Sequence, residues 1–119
     1  MANPDPVDVI HQKMNLATQS LQYLSDRSLA PNYNILKEGP QLELQRNRFV
    51  DALDDLNTQL AVVVANENAV VAPTQDQLNA VIAATSAVEK LNSNQAIATA
   101  ALGTLNAALT AAQPLVKSA

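Results

Sequence analysis

The sequence predicts an all-α fold: an antiparallel bundle of three long helices, or four if the chain turns at Asn92–Asn94. Three observations predict it. Val81, Ala84, Val88, Leu91, Ala98, Leu102, Leu105, Leu109 and Ala112 recur at alternating steps of three and four, interrupted only by Gln95, which is the heptad seam of a helix. Aromatic residues are 3% of the chain and glycines number 2, while Ala, Leu, Gln and Asn abound, a composition that favours helix over strand. Apolar residues make up 48% of 119 positions, enough to fill the core of one helical-bundle domain spanning residues 1–119.

The first helix is expected over about 5–28. Asp5 can cap its free N–H groups, and Pro6 suits the first helical position. Val7, Ile10, Met14, Ala17, Leu21 and Leu24 form one stripe, and Val9, Leu16 and Tyr23 a second beside it. A helix apolar over two adjacent stripes packs against two neighbours, or against one neighbour and a partner.

Ser28 to Gly39 breaks the pattern with Pro31, Asn32 and Asn34. Leu29, Tyr33, Ile35 and Leu36 make this stretch too apolar for a solvated linker. It reads either as a lid folded over one end of the bundle or as a recognition loop, with Tyr33, Ile35 and Leu36 as candidate contact residues.

Gly39-Pro40 is expected to open the second helix, over about 40–67. Its inner face reads Leu42, Phe49, Leu53, Leu56, Leu60 and Val63, and the spacing allows surface pairs Glu43–Arg46 and Arg48–Asp51. Ala69–Ala72 is a short apolar connector. Thr74 with Gln77 is a capping-box pattern that starts the third helix, over about 74–112. Asn92-Ser-Asn94 is poor helix sequence, but the seam keeps its register through it and no Gly or Pro intervenes, so continuity is the expectation and a turn the alternative.

No catalytic constellation, cofactor motif or metal site emerges. The chain has no cysteine, which removes thiolate chemistry and disulfides. His11 is the single histidine, with only Asp5 and Asp8 near it, and reads as a surface residue. Asp51, Asp54 and Asp55 lack calcium-loop spacing and read as a solvated face. No Gly-x-Ser-x-Gly elbow, Walker loop or dinucleotide fingerprint is present. The net charge of −4 and scattered Lys and Arg argue against nucleic acid as a partner.

Between Lys90 and Lys117 no charged residue occurs. Ala96, Ala100, Thr104, Ala108 and Ala112 form a ladder of small residues at i, i+4, which lets helix backbones approach closely. The expected function is therefore a non-enzymatic helical interaction module that binds a protein partner, or itself as a homo-oligomer, through Ala96, Ala100, Thr104 and Ala108. One alternative is a peripheral protein that lays this helix on a membrane or apolar surface, and another is an enzyme without a sequence signature. A stable membrane span is not expected, because Asn92, Asn94, Gln95, Asn106 and Gln113 make the segment too polar. The N-terminus lacks a Sec-type signal, so a cytoplasmic location, with leaderless export still open, is the default.

Overall fold

The computed structural model describes residues 3–118. It is a bundle of four helices: α1 (Pro6–Ser28), α2 (Ile35–Ala65), α3 (Gln75–Asn94) and α4 (Ala98–Ala111). Among the described residues no helix is long and apolar enough to cross a membrane.

The start of α1 is as expected: the Asp5 carboxylate accepts from the Val7 N–H at 2.9 Å, and Pro6 occupies the first turn. Both α1 stripes face inward, with Val9, Ile10, Leu16, Ala17, Tyr23 and Leu24 all buried. They do so because α1 touches α2, α3 and α4. The other central helix is α4, which also packs on all three of its companions. The flanking helix α3 has its capping box complete: Gln77 N–H donates to Thr74 Oγ1 at 3.1 Å, and Thr74 N–H to Gln77 Oε1 at 2.8 Å.

Two boundaries differ from expectation. First, α2 begins at Ile35 rather than at Pro40. Asn34 caps it, accepting from Leu36 and Lys37 N–H, and the Glu38 carboxylate takes the Asn34 N–H at 3.0 Å. Pro40 removes the hydrogen bond that would return to Leu36, but Leu36 is exposed, so water can take its carbonyl. Second, the long C-terminal helix is broken. α3 ends at Asn94, Gln95 takes a left-handed conformation (φ 50°, ψ 43°), and α4 starts at Ala98. The seam residues on both sides of the break nevertheless meet in one core, because α4 folds back and brings Ala98, Leu105 and Ala112 to Val81 and Val88.

Apolar packing forms two pools. The larger joins all four helices around Leu16, Tyr23, Phe49, Val88 and Leu105. The smaller gathers Val9, Ile10, Leu56 and Val63 with Val70 of the connector and Leu115 of the tail. Leu56 and Leu105 are fully buried, whereas Leu53 and Leu102 are half-buried at the rim. After α4 the tail runs back along the α2–α3 connector: Val71 N–H donates to Val116 O at 2.7 Å and Ser118 N–H to Ala69 O at 3.0 Å. Gln59 seals this with its side-chain amide, donating to Leu115 O and accepting from Leu115 N–H, both at 2.8 Å. The Lys13 ammonium donates to Ala111 O (2.9 Å) and Gln113 O (2.6 Å), placing a cation on the electronegative end of α4. Burial pushes its pKa down from the ordinary lysine value.

Neither expected surface pair on α2 forms. Among the described residues the one ion pair is Arg27–Glu38. Long exposed side chains gain little from pairing in water, so their separation is the ordinary outcome.

Candidate functional site

The end of the bundle where α1 meets α2 holds a buried polar clip. Arg27, on the last turn of α1, lies under the connection, and Glu38, in the first turns of α2, faces it. Arg27 Nε donates to Glu38 Oε1 at 2.7 Å and Nη2 to Oε2 at 2.9 Å, a two-pronged contact with both side chains almost fully buried. The remaining guanidinium donors reach the Asn32 side chain (3.0 Å), Asn32 O and Gln95 O (both 3.4 Å). All five N–H groups are thus occupied, and the guanidinium keeps no free donor for an anion.

Glu38 also accepts the Ala98 N–H at 2.8 Å. That is the first residue of α4, which has no side-chain cap of its own. One carboxylate therefore joins the end of α1, the start of α2 and the start of α4, across sixty residues. The Arg27 hydrogen bonds hold its pKa at about 2, below the ordinary 4.5, with the Ala98 and Asn34 amides adding to the effect and burial opposing it. Tyr23 donates its hydroxyl to Ala96 O in the turn, and burial raises its pKa.

Above the clip stand apolar side chains with nothing over them. Leu29 is 81% exposed, Ile35 68% and Leu36 88%, and Ile97, on the adjoining start of α4, is 45% exposed. Only Tyr33 packs against the core, half-buried. The connection is therefore not a closed lid. A hollow of about 320 Å³, lined by Tyr23, Arg27, Leu29, Pro31, Asn92 and Gln95 among others, opens beside the clip.

The small-residue ladder does not form one face. Ala96 lies in the turn, Ala100 is exposed, Thr104 is half-buried, and Ala108 and Ala112 are in the core. Interruption of the helix at Gln95 and the packing of α4 on α1, α2 and α3 cause this, because the ladder winds from the outer side of α4 into the core. Thr99, Ala100, Gly103, Asn106, Ala107 and Thr110 remain as an outer, uncharged strip, and a Cβ added at Gly103 would meet nothing within 4 Å. His11, Asp51, Asp54 and Asp55 are exposed and scattered, and among the described residues no group of three or more His, Asp or Glu could hold a metal ion.

Sequence reasoning passed over Arg27, Glu38, Gln45 and Gln59. A signal for the last three was present: Glu38, Gln45, Ala52 and Gln59 recur every seven residues, offset by four from Leu42, Phe49, Leu56 and Val63. All eight are buried. The inner seam of α2 has one apolar and one largely polar column, and the polar column serves α4 and the tail: Glu38 to Ala98, Gln45 to Asn106 (3.0 Å) and Gln59 to Leu115.

Comparison with protein-family models, with curated proteins and with solved structures finds no match for this chain.

Proposed function

We propose that the protein is a non-enzymatic helical interaction module whose contact surface is the bundle end formed by the α1–α2 connection and the start of α4. Leu29, Ile35 and Leu36 carry this proposal: they stand 68–88% exposed on a segment whose backbone the Arg27–Glu38 clip ties down. A mobile loop could collapse such side chains onto the bundle. A fixed one keeps them in water, where each gives up roughly 1.5–3 kcal/mol of burial until something covers it. Leu29, Ile35 and Leu36 act as apolar anchors, Tyr33 is half-buried against the core beside them, and Ile97 and Ala100 extend the surface along α4. The partner chemistry is an apolar protein face, on another protein or on a second copy.

The test is the double substitution Leu29→Ser with Leu36→Ser. Both side chains are exposed, so helicity and melting temperature should stay at parental values. Self-association in sedimentation experiments, or capture of a partner, should fall at least about tenfold, since two exposed leucines lose their burial. Unchanged mass and unchanged partners would reject the surface. Binding to neutral vesicles that the substitutions abolish would assign the same side chains to a lipid surface instead.

A further inference from the structure

The break between α3 and α4 is held in large part from outside the segment that contains it. The turn has neither glycine nor proline. Its pivot, Gln95, is the one non-glycine residue with positive φ among those described, a conformation that costs a side-chain-bearing residue free energy. α4 lacks a cap of its own. Backbone bonds close the turn locally, Gln95 N–H to Asn92 O at 3.3 Å and Ala96 N–H to Leu91 O at 3.2 Å. The side-chain bonds that hold it come from elsewhere: Tyr23 and Arg27 of α1 donate to Ala96 O and Gln95 O, and Glu38 of α2 accepts the Ala98 N–H. Meanwhile Leu91, Gln95 and Ala98 keep the heptad register of an unbroken helix.

We infer that the α3–α4 turn is a hinge, and that opening it lets two copies of the chain exchange α4. With the clip released, residues 75–111 extend as one helix of roughly 55 Å. Gln95 then returns to an ordinary helical conformation. A continuous helix carries α4 away from its own bundle, leaving the slot lined by Leu16, Phe49 and Val88 empty and the buried side of α4 (Ala101, Leu105, Ala108) bare. The same slot in a second copy is identical to the one vacated and therefore matches that side. Reciprocal exchange restores the lost packing, including Lys13 on the α4 carbonyls, between chains rather than within one. A three-residue connection under strain is the kind of hinge that favours such exchange.

The exchange does not rest on the apolar bundle end, and the test separates the two. The chain is refolded at high concentration and its mass read by light scattering after size exclusion. Gln95→Ala should raise the dimerisation constant about threefold or more, because this residue becomes helical only when the hinge straightens and two hinges straighten per dimer. Glu38→Gln should also raise it, and Gln95→Gly, which relaxes the left-handed pivot, should lower it. In a dimer mixed from isotope-labelled and unlabelled chains, contacts between Lys13 and Ala111 should be interchain. Leu29→Ser with Leu36→Ser should leave this dimer intact. A Gln95→Ala variant that stays monomeric, a dimer whose Lys13–Ala111 contact is intrachain, or one that the leucine substitutions abolish would each overturn the exchange. Should Gln95→Ala not fold, Gln95→Gly and Glu38→Gln decide it: equal dimer fractions in the two would overturn it.

Discussion

Glu38 is a single carboxylate with four donors around it, two from Arg27 and one each from the Asn34 and Ala98 amides. Removing it strands a buried guanidinium and two amides. Glu38→Ala should therefore destabilise the fold by on the order of 3–5 kcal/mol in chemical denaturation, and Glu38→Gln by less, since an amide oxygen can still accept. The pH dependence has a definite sign. The folded pKa of about 2 lies below the ordinary 4.5, so the stabilisation is fully present above about 4.5 and is lost as pH falls towards 2. The stability gap between parent and Glu38→Gln should shrink between pH 5 and pH 2. A gap that stays constant over that window would mean the carboxylate is not held as described. Neither Arg27 nor Glu38 was legible as a partner from sequence. They are eleven residues apart across an irregular connection, and which surface charge is buried is decided by tertiary packing, not by spacing.

At the scale of the element, α2 shows where periodicity informs and where it misleads. Its apolar column, Leu42, Phe49, Leu56 and Val63, was readable and is fully inside. Leu56→Ala should cost roughly 2–5 kcal/mol, and Leu53→Ala, half-buried at the rim, distinctly less. The polar column was hidden because glutamine on a helix ordinarily marks the wet face. Its members should respond with opposite signs. Gln59 satisfies both backbone groups of Leu115, so Gln59→Leu leaves two polar groups unpaired and should cost about 2–3 kcal/mol. Gln45 is buried with its side-chain oxygen unpartnered, and its one bond goes to the exposed Asn106, whose oxygen water can take, so Gln45→Leu should be neutral or stabilising by up to about 1 kcal/mol. If both substitutions destabilise equally, the inner seam has been assigned the wrong polar partners. The capping box at Thr74 was legible because it is local. The break at Gln95 was not, because no glycine or proline marks it and the side chains that hold it belong to α1 and α2.

For the molecule as a whole, helix content and bundle architecture could be read from composition and seam, while helix number and arrangement could not. An uncharged C-terminal third suggested a free contact face; part of it is uncharged because α4 packs on three helices, and an exposed uncharged strip remains on its outer side. Ala100→Glu, on the outer strip, should fold with a melting temperature within a few degrees of the parent. Ala108→Lys places an ammonium in a position with no exposed surface and should abolish cooperative unfolding. Equal tolerance of the two would contradict a central α4. The arrangement depends on one carboxylate reaching three helices, and an NMR titration tests that contact directly by following the Glu38 side-chain carboxyl carbon and the Ala98 amide together as pH is lowered. Both signals should move together with a midpoint of about 2. A Glu38 midpoint near 4.5, or an Ala98 amide that does not follow it, would contradict the clip and the four-helix arrangement built on it.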